Sequence, residues 1–381
     1  MRIKYILFLP AFVFVFSCCE KTKIEETSTR TVLVYMVASN LGVALEDNIE
    51  KMIESATDRN LNGGNLLVYY SWFDEVEKTF KGELYQIKEG KGGKVTKHFL
   101  RNYNGQSAVN IAVVRKIADE VFMEFPADSY GMIFSSHATA WFPADYTNML
   151  RSFGEENGNH IEINDLASVL KGLPLEFIAF DACSMGAIEC AYEFKDCADY
   201  YISSTSEIMA IGFPFKEMLP YLFTTVPDYE KIVRSFHDFY LNYRNPYGSL
   251  SVIKTEGLDE LASVSRDILS AKGVEGMYGL AVNNYQLLSN ISGNPRLYDF
   301  ADIMSALAST EDQKNRLSRS LANTVIAKSV TDKIFCKGSQ GNGLSNVTSY
   351  SGLSIYPLRQ NFTAINNWYH TNLNWPKAVY P

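Results

Sequence analysis

Short, mostly apolar runs alternate along this chain with longer stretches whose apolar positions recur every three or four residues. Thr31–Ala38 (TVLVYMVA), Asn65–Phe73 (NLLVYYSWF), Asp128–Ser136, Phe177–Phe180 and Ala198–Ser204 (ADYYISS) are of the first kind. Runs of that length predict strands buried on both faces. Leu45–Ala56, Ser107–Phe125, Ile163–Leu170, Phe215–Phe223 and Tyr229–Tyr243 are of the second kind and predict amphipathic helices. In Ser107–Phe125 the apolar face is Val109, Ala112, Val113, Ile117 and Val121. Glu83–Lys88 and Val95–Phe99 predict a hairpin across Glu89–Gly93, a Gly-Lys turn without a phosphate-loop pattern. Arg151–His160 (RSFGEENGNH) predicts an exposed polar loop. Further on, the pattern predicts strands at Ser249–Lys254, Met277–Val282 and Gly352–Pro357. Helices are predicted at Leu258–Lys272, Leu297–Ala308, Glu311–Ala327 and Phe362–Leu373. Repeats and low-complexity linkers are absent, so one α/β core with an α-rich C-terminal portion is expected.

The stretch Leu175–Phe194 (LEFIAFDACSMGAIECAYEF) carries the strongest chemical signal. Its apolar run gives way to Met185, Ile188, Ala191 and Tyr192 at helical spacing. Cys183 is therefore expected at the carboxyl end of a buried strand, where open α/β sheets place their ligands. A helix starting there would stabilise a thiolate and make Cys183 a nucleophile. His137 stands at the matching end of Asp128–Ser136, 46 positions earlier. A strand, a helical crossover and a second, parallel strand would bring both side chains to one crevice. His98, His160, His237 and His370 fall in an edge strand, the polar loop and helical patterns, and Cys190 and Cys197 read as core residues.

Composition narrows the partners and the compartment. With 46% hydrophobic and 20% charged residues among 381, the chain is globular. A net charge of −8 and no Lys/Arg-rich run exclude nucleic acid as the expected partner. The cysteines show neither a CxxC pair nor a compact disulfide framework, so no metal is expected. Arg2 and Lys4 precede the apolar run Tyr5–Phe16, which has signal-peptide length. The run ends in Val15-Phe16-Ser17-Cys18, which resembles a bacterial lipobox and implies lipidation of Cys18. Residues 1–17 are then a lipoprotein signal peptide, 18–30 a polar tether and 31–381 the folded domain. The expected place is the bacterial cell envelope, lipid-anchored at the periplasmic face or cell surface, with the acyl chains as the only membrane contact.

Four segments carry a resemblance: YMVASNLGVALEDNI, GMIFSSHATAW, FIAFDACSMGAIECAYE, and the late GLSIYP with the helix NFTAINNWY. With them the chain resembles the clostripain family of cysteine peptidases. The resemblance implies a caspase-like three-layer αβα sandwich with a mostly parallel central sheet. It implies a cysteine endopeptidase with a His137/Cys183 dyad, cutting protein or peptide substrates after Arg or Lys. The N–H groups of Ala138 and Cys183 would hold the oxyanion, and Asp181, with Glu207, would face the basic side chain. No cofactor is implied, calcium dependence is left open, and a monomer is expected. Family enzymes are often cut between the histidine and the nucleophile, and Arg151 is the only Lys or Arg between His137 and Lys171, so self-cleavage after Arg151 is expected. Two departures stand out. Ala138 replaces the glycine that usually follows the histidine, and Glu207 is the one acid available as a second pocket residue. They leave two other readings: a clostripain-like surface lipoprotein with impaired catalysis that serves as a binding module, and a hydrolase of another acyl substrate. Asp181 has a plainer reading too, as a helix N-cap.

Overall fold

The computed structural model describes residues 28–38, 40–143, 152–244, 246–290, 296–336 and 343–380. The stretch expected to be a signal peptide, with Cys18, and Arg151 lie outside the described residues. The first half of the chain gives β1 (Thr31–Val37), α1 (Gly42–Ser55), α2 (Asp58–Leu61), β2 (Asn65–Asp74), β3 (Thr79–Glu89), β4 (Val95–Asn102), α3 (Ile111–Glu124) and β5 (Tyr130–Ser135). Next come β6 (Phe153–Glu156), β7 (Asn159–Ile161), α4 (Ile163–Leu170), β8 (Leu175–Asp181), α5 (Ile188–Glu193), β9 (Ala198–Ser203), α6 (Phe215–Leu222), α7 (Tyr229–Leu241) and β10 (Ser249–Lys254). The C-terminal portion holds α8 (Leu258–Tyr278), β11 (Leu287–Asn290), β12 (Arg296–Asp299), α9 (Phe300–Leu307), α10 (Glu311–Thr324) and β13 (Val325–Val330). It closes with β14 (Lys333–Phe335), β15 (Leu344–Asn346), β16 (Ser354–Ile355), α11 (Thr363–Asn372) and α12 (Asn374–Val379).

Nine strands form the central sheet in the order β13-β10-β9-β8-β5-β1-β2-β3-β4. The middle five, from β9 to β2, run parallel, and antiparallel strands extend both edges. The period-two geometry of a strand divides each of them between two cores. Leu33, Tyr35 and Val37 of β1, with Ile178 and Phe180 of β8, face α3, α4, α5 and the C-terminal helices. Val32, Val34 and Met36, with Phe177 and Ala179, face α1, α6 and α7. That is the expected three-layer arrangement, and it explains why these strands read as unbroken apolar runs.

At the amino ends of the parallel strands the fold is stapled by one buried charge. Arg30 pairs with Glu176 at 2.6 Å and donates to Ser129 Oγ and to the carbonyls of Leu222 and Thr224. A buried guanidinium is tolerated because its donors are met. Ser28 bridges Ala127, so the fold takes in Ser28–Arg30, which polarity alone assigns to the tether.

Several expectations are corrected. Arg151–His160 is not an exposed loop from Ser152 onward. It forms the β6–β7 hairpin, turning at Asn157 and Gly158, both at positive φ as a two-residue hairpin turn requires. Ser152 and Phe153 are buried, and so is Glu156, whose carboxylate accepts from Ser107 Oγ and Ala108 N–H. Met277–Val282 is the end of α8 followed by a 3₁₀ turn, because an apolar run that short does not distinguish strand from helix. The helix predicted over Glu311–Ala327 stops at Thr324, where the β-branched sequence VIAKSV becomes the edge strand β13 against β10. Leu297–Asp299 belongs to β12, and Gly352–Pro357 is reduced to the two residues of β16.

Candidate active site

The register of the parallel strands builds the site. Met36 of β1 lies beside Ser135 of β5, and Ser135 lies beside Asp181 of β8. His137 and Cys183 follow two residues beyond their strands, on the same edge of the sheet. Both line one cavity of about 190 Å³, together with Leu41, Asp181, Glu207 and Gly212. The crevice predicted for His137 and Cys183 is therefore present.

Cys183 does not sit at a helix N-terminus, which corrects the expected source of thiolate stabilisation. It lies in a turn held to the chain after β9 by the bonds Ser184 N–H to Ser206 O (2.9 Å) and Gly186 N–H to Ser204 O (2.6 Å). Ser184 takes a left-handed φ of 62° in that turn. Helix α5 begins only at Ile188 and has six residues. The thiol is half-buried and pushed up to about 12, first by burial, then by the Glu207 charge, with Asp181 adding to it. Ile208 donates its N–H to Cys183 Sγ at 3.4 Å, and the thiol donates to Ile208 O at 3.6 Å. The segment Glu207–Gly212 thus lies across a neutral thiol.

Asp181 is buried at the floor. Ser135 Oγ donates to it at 3.0 Å and Phe213 N–H at 2.8 Å. Burial still dominates and lifts the carboxyl to about 7. Gly212, at φ 66°, closes over this carboxylate, and a Cβ there would lie 2.6 Å from Oδ2. Any side chain at 212 would collide with the acid and strain the backbone. Because α5 starts at Ile188, Asp181 is not its N-cap. Glu207 lines the same cavity, so two carboxyl groups face a space that has no Lys or Arg in its lining among the described residues.

His137 accepts Gly154 N–H on its carbonyl at 2.9 Å, and its Nε2 lies 2.6 Å from Asn40 Oδ1. Ala138 bridges Phe153 through the flanking bonds Gly154 N–H to His137 O and Thr139 N–H to Ser152 O. In such a pair the enclosed residue turns its own N–H away from the ladder. Ala138 has an ordinary negative φ, so alanine fits without strain at a position where the family usually has glycine. The left-handed residue of this loop is Ala140, at φ 57°. The other histidines stay away from the cavity: His160 lies against Glu162, His237 against Asp238, His370 against Tyr369 and Tyr380, and His98 is on the edge strand β4. Cys190 and Cys197 are buried core residues, as expected.

Asn40, Ser135, Ile208 and Gly212 are site residues that sequence reasoning did not single out. Asn40 follows β1, the neighbour of β5, so the strand-end argument that found His137 and Cys183 reaches it as well.

The sequence model of the clostripain family matches residues 34–380. The chain belongs to the clostripain family. It is similar to an inactive zymogen C11 protease from Parabacteroides distasonis, at 35% identity and a TM-score of 0.82, covering 94% of this chain and 100% of that one. It is similar to iotapain, a secreted C11 cysteine protease from Bacteroides thetaiotaomicron, at 26% identity and a TM-score of 0.81 over 93% and 99% of the two chains. A secreted C11 cysteine protease from the same organism, in complex with an irreversible peptide inhibitor, matches at 28% identity and a TM-score of 0.79 over 92% and 98%. No curated protein matches the chain. As a clostripain-family member, the protein is a cysteine-type peptidase with the caspase-like fold.

Proposed function

We propose that this clostripain-family peptidase is an endopeptidase that uses Cys183 and His137 as a dyad and cuts after Arg or Lys. The observation that carries the reading is the register of β5 and β8, which sets both side chains on one acidic cavity. Once substrate displaces Glu207–Gly212, Cys183 Sγ attacks the scissile carbonyl carbon and its proton passes to His137. His137 returns that proton to the leaving amine as the C–N bond breaks, leaving a thioester on Cys183. Water then attacks the thioester with His137 as base, and the acid product leaves with the thiol restored. The N–H groups of Ala138 and Cys183 stabilise the oxyanion of both steps. Asp181 and Glu207 receive the guanidinium or ammonium of the residue before the scissile bond. The enzyme activates itself by cutting after Arg151, and the zymogen state of the Parabacteroides relative is in keeping with such processing.

The P-side specificity has a pH signature. Asp181 is lifted to about 7, so in the free enzyme it is neutral below that pH and charged above it. The ratio of kcat/KM for a basic over a neutral side chain cancels the titration of the dyad. That ratio is expected to rise as pH increases through about 7 in the wild type and to be low and flat in Asp181→Asn. A ratio that keeps its wild-type size and its rise with pH in the variant removes Asp181 from the specificity pocket.

We place the protein at the cell envelope through a lipid on Cys18. Metabolic labelling with a fatty-acid analogue is expected to mark the wild type and not Cys18→Ala; equal labelling of both contradicts the anchor.

A further inference from the structure

Asn40, His137 and Cys183 follow three adjacent parallel strands, β1, β5 and β8, at one edge of the sheet. Met36, Ser135 and Asp181 are paired across those strands. Asn40 lies four residues past Met36, and the other two lie two residues past their partners. The chain on both sides of Asn40 is fixed: Leu41 N–H bonds Ala38 O at 2.6 Å, and Leu45 N–H bonds Leu41 O at 3.0 Å as α1 begins. The backbone of His137 is fixed as well, through Gly154 N–H. Between these two anchored segments, Asn40 Oδ1 stands 2.6 Å from His137 Nε2.

An amide oxygen accepts and cannot donate, so the ring nitrogen that meets it carries the proton. A neutral imidazole has one N–H and one basic nitrogen. With Nε2 protonated, Nδ1 is the basic one. We propose that Asn40 is a positioning residue for His137: it fixes the Nε2–H tautomer and the ring's orientation, leaving Nδ1 to take and return the thiol proton. The proposal rests on the reading of His137 as the acid–base partner of Cys183. It gives that pair a third group that orients the base. When His137 becomes an imidazolium, Nε2–H keeps its acceptor and the bond becomes charge-assisted. Asn40 is uncharged, so it orients the ring without the pull of a carboxylate toward a permanently protonated histidine.

The test compares Asn40→Ala and Asn40→Asp with the wild type in the full chain. Asn40→Ala is expected to lower kcat on the order of 10- to 100-fold, less than the ~10⁴ seen when a buried tautomer-fixing carboxylate is neutralised. KM should stay within about two-fold, since Asn40 acts on the chemical step. Asn40→Asp keeps an acceptor in place and, compared at a pH high enough to deprotonate a histidine beside a carboxylate, should recover most of the lost kcat. A spectroscopic readout does not depend on turnover. In Cys183→Ala carrying ¹⁵N-labelled histidine, the His137 signals, identified by their loss in His137→Ala, should show the Nε2–H tautomer. Adding Asn40→Ala should give a tautomer mixture. The proposal is overturned by an Nδ1–H tautomer in the parent, by an unchanged kcat in Asn40→Ala, or by equal losses in the Ala and Asp variants, which would indicate a merely structural role. If Asn40→Ala does not fold, the parent tautomer and Asn40→Asp still decide. Failure of the dyad reading is distinct, because His137→Ala would then retain activity.

Discussion

Cys183→Ala is expected to lose hydrolysis by on the order of 10⁴-fold or more while the fold persists. The fold should survive because the turn is held by backbone bonds of Ser184 and Gly186, and the thiol contributes only its weak pair with Ile208. His137→Ala should lose about 10²- to 10⁴-fold, the usual weight of a positioned acid–base group. The double variant should be no slower than the worse single one, because a nucleophile without its base and a base without its nucleophile fail at the same step. Steady-state hydrolysis of a peptide with a basic residue before the scissile bond, with melting temperature as the control for folding, checks this. A purified Cys183→Ala protein that keeps more than a small fraction of the activity contradicts the assignment, and additive losses contradict a coupled dyad.

Self-cleavage after Arg151 is the second large effect expected. Residues 144–151 run between two buried anchors, Phe142 and Ser152, and Ser152 Oγ donates to Glu162 at 2.6 Å. A cut after Arg151 leaves Ser152 at a new amino terminus, directly before the strand that pairs with Ala138. The first chain would supply β1–β5 and the second β8, β9, β10 and β13. Both remain associated, because β5 and β8 are paired along their length in the middle of a sheet buried on both faces. Mass spectrometry of purified wild type beside Cys183→Ala is expected to find complete conversion to fragments ending at Arg151 and beginning at Ser152 in the wild type alone. A fully active, intact wild type overturns the proposal, and cutting in both proteins assigns the event to another protease.

The parts of this account that were legible in the sequence are those where one physical constraint dominates. Parallel strands buried on both faces leave largely apolar runs, so β1, β2, β5 and β8 could be read directly, β9 from its buried second half, and the carboxyl ends of β5 and β8 located His137 and Cys183. The hairpin after Arg151 was obscured because its polar side chains have partners inside the fold, Glu156 above all, and because the Asn157–Gly158 turn was read as loop composition and not as a hairpin turn. The start of α5 was misplaced because a helical period reports which side is buried and not where the helix begins. Met185 is buried within the turn, in phase with the helix that follows it. That error mattered chemically, since it assigned the thiol to a helix N-terminus when its surroundings raise its pKa. Asn40 escaped notice because a neutral amide has no titration to betray it, although it too follows the carboxyl end of a central strand; its distance to His137 reveals it.

The central claim, that Cys183 is the nucleophile of a pocket for basic side chains, is tested most directly by covalent labelling. The purified protein is incubated with an irreversible thiol-reactive peptidyl probe bearing Lys or Arg next to the reactive group, and the adduct is mapped by peptide mass spectrometry. The account predicts one equivalent of probe on Cys183, none on Cys190, Cys197 or Cys336, and little labelling when the basic residue is replaced by a neutral one. An unlabelled Cys183, or labelling indifferent to the probe's charge, would contradict it.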